Sequence, residues 1–107
     1  MKHIIFTIGL TILTLLTSTA YAGDAAAGKT VYMQCQACHG VNGEGNEAMK
    51  GPKLAGQHAW YIESSLKKFK SGARGAGDSE AAMMVPFSMM LDDTKMADVA
   101  AYLASLK

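Results

Sequence analysis

The chain has 107 residues, half of them apolar, and carries ten Lys and Arg residues against nine Asp and Glu residues. This length fits one domain. The near balance of charge argues against a nucleic-acid-binding protein, which needs a basic surface.

Residues 1–22 have the layout of a secretory signal peptide. A short basic start precedes an apolar run at residues 4–16, and Ala20-Tyr21-Ala22 supplies a small-x-small cleavage pattern. The run is shorter than the ~20 residues that span a bilayer, so an uncleaved anchor is the weaker alternative. We therefore expect a periplasmic protein that is cleaved after Ala22 and leaves residues 23–107 as one domain without a membrane span.

The mature region opens with a predicted helix and a long loop. Asp24 is a suitable N-cap for a helix from about Ala25, in which Gly28 and Tyr32 share one face. A glycine inside a helix suggests that another backbone passes close by. Residues 40–56 are rich in Gly and Asn and predict a loop, which is long for so small a domain unless it wraps a ligand.

Two more helices and a second long loop follow. Residues 57–71 return to helical spacing, and glycines end that helix. Residues 76–90 predict a loop that contains four methionines, and Asp92 or Asp93 caps a terminal helix. No alternating strand pattern is present. The prediction is an all-α fold with three main helices and two long loops.

The pentapeptide Cys35-Gln36-Ala37-Cys38-His39 carries the chemistry. A disulfide between the two cysteines closes a very small loop and stabilises little, a thioredoxin-like pair needs a βαβ context, and a zinc site needs a fourth ligand that only the distant His58 could supply. The spacing is typical of covalent haem attachment. Two thiols reach two vinyl groups of one porphyrin, and the imidazole that follows can bind the iron.

Iron bound by His39 leaves a second axial position. A Met thioether there raises the reduction potential, and Met84 is the predicted ligand because it lies in the second loop, far enough from His39 for the chain to pass around the ring. Met83 and Met89 remain open as alternatives, with His58 a further competitor.

Other residues are predicted to support the haem. The backbone carbonyl of Pro52 is the candidate acceptor for the second ring nitrogen of His39. Trp60, Tyr61 and Arg74 are candidates to contact the haem propionates.

The chain resembles the class I cytochromes c, specifically the short soluble bacterial kind and the single halves of tandem dihaem bacterial cytochromes. The resemblance rests on residues 28–45, 51–57, 60–61, 69–74 and 98–103. It implies the cytochrome c fold around one covalently bound haem c. It also implies that Cys35 and Cys38 form the thioethers, that His39 is the proximal ligand and that the Pro52 carbonyl bonds this histidine.

The resemblance implies an electron carrier rather than an enzyme. The expected partners are redox proteins, such as a bc-type complex, a terminal oxidase or a reductase, and the expected oligomeric state is a monomer or weak dimer. Two alternatives stay open at this point. One is a five-coordinate haem protein that binds gas or peroxide, and the other is a cytochrome subunit of a dehydrogenase complex.

Overall fold

The computed structural model describes residues 23–107, and the predicted signal peptide, residues 1–22, lies outside them. The described part is helical, without strands, and this confirms the all-α prediction. Its elements in chain order are α1 (Ala25–Tyr32), α2 (Gln36–His39), α3 (Ala59–Ser71), a 3-10 turn (Ala81–Met83), α4 (Met84–Met89) and α5 (Asp93–Ser105). None of the described helices is long and apolar enough to cross a membrane.

Helix α1 packs against α5 through a glycine. Asp24 caps α1, and its Oδ1 accepts hydrogen bonds from the backbone N–H groups of Ala26 at 2.9 Å and Ala27 at 3.2 Å. A Cβ added at Gly28 would overlap the carbonyl group of Asp98 on α5. This confirms that a second backbone passes close to Gly28, and a larger residue here would force the two helices apart.

The core lies where α1, α3 and α5 meet. Its buried side chains are those of Tyr32, Ile62, Val99, Ala100 and Leu103. The rings of Tyr32 and Tyr102 lie 5.6 Å apart, tilted by 48°, which is a favourable aromatic contact. The core thus fixes the end of α1 from which the haem-attachment pentapeptide continues.

Helices α3 and α5 follow their predicted bounds closely. Helix α3 begins at Ala59, two residues later than predicted, and ends at Ser71 as predicted. Its C-cap, Gly72, adopts the left-handed conformation with a φ of 80°. Of the two candidate caps of α5, Asp92 is the N-cap, and its Oδ1 accepts from the Lys95 N–H at 2.8 Å.

The second loop is not a loop throughout, and this part of the prediction was wrong. Residues 81–89 form the 3-10 turn and α4, so Met84 is the first residue of a helix. Asp78 starts this stretch, because its Oδ1 accepts from the N–H groups of Glu80 and Ala81. Pro86 lies in the first turn of α4, where a missing N–H costs nothing.

Candidate functional site

The pentapeptide forms a compact turn after α1. The Cys35 N–H donates to the Tyr32 carbonyl at 2.8 Å, and the His39 N–H donates to the Cys35 carbonyl at 3.0 Å. This single helical turn, α2, places Cys35, Cys38 and His39 close together. Gly40 then reverses the chain with a φ of 88°, a conformation that favours glycine.

His39 is held by the first loop. It is buried, and its Nδ1 lies 2.8 Å from the carbonyl oxygen of Pro52. This is the contact that the sequence predicts. A neutral imidazole that donates through Nδ1 presents its Nε2 lone pair to a metal. Gly51 makes the contact possible, since a Cβ at this position would overlap the carbonyl group of Cys38.

A crevice opens beside the pentapeptide. Its lining combines the motif with two side chains of α4, and the full set is Gln34, Cys35, Cys38, His39, Met84 and Phe87. Met84 and Phe87 lie three residues apart, so they share one face of α4. The structure therefore brings Met84 to the same cavity as His39. The alternatives Met83 and Met89 are largely exposed to solvent and do not line the crevice.

Cys35 and Cys38 form no disulfide with each other. Burial raises the pKa of the Cys35 thiol to about 11, and the nearby Cys38 thiol adds to the rise. In the described residues no group of three or more His, Cys, Asp and Glu side chains could hold a metal ion.

The predicted propionate contacts lie outside the crevice lining. Trp60 is exposed, stacks on His58 with ring centroids 6.0 Å apart, and borders a shallow groove on α3. The guanidinium of Arg74 lies 4.7 Å from the Phe69 ring centroid and donates to the Ser65 hydroxyl at 3.1 Å. Contact of Trp60 or Arg74 with a propionate stays a prediction.

Sequence reasoning did not single out two lining residues, Gln34 and Phe87. Gln34 directly precedes Cys35, and this adjacency is a signal that could have identified it. Phe87 could have been found only by placing Met84 on a helix, because the two then share a face.

The donor set of the crevice fits a haem. It offers two thiols three residues apart, an imidazole oriented by a carbonyl, and a thioether, in a cavity whose other lining includes an aromatic ring. Thioether and imidazole are the axial pair of electron-transfer haems, and the thiols supply the covalent tether.

Comparisons with known proteins agree with this chemistry. The family model described as Cytochrome c matches residues 25–107. The chain is 46% identical over 84 residues to cytochrome c-554(548) of Halomonas halodenitrificans, an alignment that covers 78% of this chain and 98% of the relative.

Longer proteins match as well. The solved structure of cytochrome c4 from Acidithiobacillus ferrooxidans matches with a TM-score of 0.69 and 33% identity, over 83% of this chain and 53% of that one. A protein named thiosulfate dehydrogenase electron acceptor, from Stutzerimonas stutzeri, is 35% identical over 101 residues, over 86% of this chain and 43% of its own. The chain thus spans about half the length of these two. It belongs to the cytochrome c family, which binds covalently attached haem c through the motif present here as Cys35, Cys38 and His39.

Proposed function

We propose that this chain is a periplasmic one-electron carrier whose haem iron is ligated by His39 and Met84. The observation that carries the proposal is the crevice, in which the oriented imidazole and one of the four clustered methionines line the same cavity. The cytochrome c family to which the chain belongs consists of electron carriers, and two protein ligands leave no open position for a substrate on the iron.

Each side chain of the site has a distinct task. The bound haem supplies the one-electron redox centre. Cys35 and Cys38 fix its position through their thioethers, and the Pro52 carbonyl keeps the His39 ring oriented by accepting from Nδ1. The Met84 thioether, a soft ligand, raises the reduction potential.

The proposed partners are redox enzymes or respiratory complexes. The relative from Stutzerimonas stutzeri is named as the electron acceptor of a thiosulfate dehydrogenase, which supports a dehydrogenase as the electron donor. A bc-type complex, a terminal oxidase or a reductase remains a proposed partner on the grounds of family resemblance. Export to the periplasm is supported by the sequence pattern of residues 1–22.

The test replaces one methionine at a time in the holoprotein. Met84→Ala is expected to lower the reduction potential and to let the ferrous iron bind carbon monoxide at neutral pH, because the second axial ligand is gone. Met89→Ala is the matched control, since Met89 ends the same helix with its side chain exposed. Redox titration and absorption spectra measure both effects.

Two results would overturn parts of the proposal. If Met89→Ala lowers the potential and Met84→Ala does not, the ligand assignment is wrong. If the unmodified holoprotein already binds carbon monoxide readily at neutral pH, the iron is five-coordinate and the protein handles gas or peroxide instead.

A further inference from the structure

Helix α4 is followed at its C-terminal end by a buried residue that joins it to α5. There Leu91 is buried, its N–H donates to the Ser88 carbonyl at 3.1 Å, and Asp92 is the N-cap of α5. The N-terminal end, which carries Met84, follows the 3-10 turn (Ala81–Met83), and this turn follows the segment 72–80. That segment contains three glycines with positive φ, Gly72, Gly75 and Gly77. Helix α4 has only six residues, so the position of Met84 depends in part on how firmly the C-terminal end of this helix is held.

One side chain of α3 reaches that end. The ammonium Nζ of Lys70 donates to the Leu91 carbonyl oxygen at 2.6 Å, across 21 residues of sequence. Leu91 joins α4 to α5, so this single bond connects the last turn of α3 to the junction of the other two helices. Hydrogen bonds from a charged donor are about twice as strong as neutral ones.

We infer that Lys70 is a positioning residue for the Met84 thioether. The inference rests on the proposed ligation by Met84. The bond to Leu91 sets the depth of α4 in the crevice, and a helix of less than two turns moves as one body. Without the bond α4 loses one of the contacts that hold it against α3, and the thioether spends a larger fraction of time away from the iron.

Imidazole binding to the ferric holoprotein measures that fraction directly. Added imidazole must displace Met84, so its apparent affinity rises with the population in which the thioether has left. Lys70→Met keeps the side-chain length and removes the donors. We expect it to bind imidazole about fivefold more tightly than the unmodified protein, the effect of losing one partly exposed charged hydrogen bond.

The other variants separate positioning from charge and stability. Lys70→Arg retains a cationic donor and is expected to bind imidazole within about twofold of the unmodified protein. Lys68→Met removes the same charge from the same turn of α3 and is the control, because within residues 23–107 the Lys68 side chain makes no hydrogen bond. If Lys70→Met yields too little folded holoprotein, Lys70→Gln keeps a neutral donor, and its affinity is expected to be intermediate.

The results also separate this inference from the ligand assignment. The near-infrared band of Met-ligated ferric haem must be present in the unmodified protein and lost in Met84→Ala. If it persists in Met84→Ala, the ligand assignment fails and the role of Lys70 fails with it. If the assignment holds but Lys70→Met binds imidazole as Lys68→Met does, only the role of Lys70 is overturned.

Discussion

At the scale of single residues, Tyr32 links the core to the haem-binding turn. Its side chain is fully buried, and its hydroxyl donates to the Gly40 carbonyl at 2.5 Å, directly after His39. Burial, followed by the nearby Cys35 and Glu44, raises the pKa of Tyr32 from its ordinary 10.0 to about 12. The phenol is therefore much harder to ionise in the folded protein than in the unfolded chain.

This pKa shift predicts a loss of stability at alkaline pH. Between pH 10 and 12 the unfolded chain loses the Tyr32 proton first, so the stability present below pH 10 falls as the pH rises through this window. The loss is up to about 2 kcal/mol. In Tyr32→Phe this contribution is absent. We expect the difference in unfolding free energy between the two holoproteins to shrink across the window.

Guanidinium unfolding at a series of pH values measures that difference. Tyr61→Phe is the control, since Tyr61 is exposed, and it is expected to follow the unmodified protein. A difference between Tyr32→Phe and the unmodified protein that stays constant from pH 10 to 12 would show that the ionisation of Tyr32 is not coupled to folding.

The attachment residues were predictable because they adjoin in sequence. The five-residue pattern that contains Cys35, Cys38 and His39 is enough to predict haem attachment. Pro52 was predictable because the second ring nitrogen of His39 needs a hydrogen-bond acceptor. Phe87 was not predictable in the same way. Its place in the crevice depends on how α4 packs, and no local pattern records that packing.

At the scale of elements, the first loop packs against α2 at Gly51. An added Cβ at Gly51 would overlap the Cys38 carbonyl and lie 3.1 Å from the backbone nitrogen of His39. We expect Gly51→Ala to push the loop, and with it the Pro52 carbonyl, away from His39. The expected cost is about 1–3 kcal/mol of stability, together with a lower yield of holoprotein.

Thermal unfolding of the holoprotein and its haem content measure these losses. Gly72→Ala is the control. Gly72 has a φ of 80° but no neighbour within 4 Å of an added Cβ, so only backbone strain of about 1 kcal/mol is expected. If Gly51→Ala is no more destabilised than Gly72→Ala, the close approach of loop and turn does not constrain the site.

The helices that could be predicted are those with a strong capping residue at one end. Helices α1 and α5 begin after Asp24 and Asp92, and α3 ends before Gly72, all of them strong signals in the sequence. Helix α4 is absent from the prediction because a proline such as Pro86 typically indicates a turn or loop. A proline in a first turn is compatible with a helix, and the Asp78 cap lies ahead of it.

At the scale of the whole molecule, the two segments that line the crevice carry no Asp, Glu, Lys or Arg. These segments, residues 30–43 and 81–91, form what we call the crevice rim. Several of their side chains are exposed methionines, among them Met33, Met83 and Met90. Methionine is enriched at protein interfaces, whereas charges at the edge of an interface govern the salt dependence of association.

The uncharged crevice rim predicts electron exchange that depends weakly on salt. We expect the rate of electron exchange between oxidised and reduced holoprotein to change by less than about threefold as the Debye length falls from ~30 to ~8 Å. Met83→Lys places like charges on the contacting faces and is expected to slow exchange at low salt. NMR line widths of mixed oxidised and reduced samples give the rates.

Ser105→Lys is the control for that experiment, because Ser105 is exposed at the end of α5 and lies outside residues 30–43 and 81–91. Its exchange rate is expected to match that of the unmodified protein. If Ser105→Lys and Met83→Lys slow exchange equally, overall charge rather than the crevice rim controls association.

Proton NMR of the reduced holoprotein tests the ligation by Met84 most directly. A methionine bound to a diamagnetic haem iron lies over the ring, and the ring current shifts its methyl signal far upfield. We predict one such three-proton signal, present in the unmodified protein, in Met83→Ala and in Met89→Ala, and absent in Met84→Ala. A signal that survives in Met84→Ala, or no upfield methyl signal in the unmodified protein, would contradict the His39 and Met84 ligation on which this account depends.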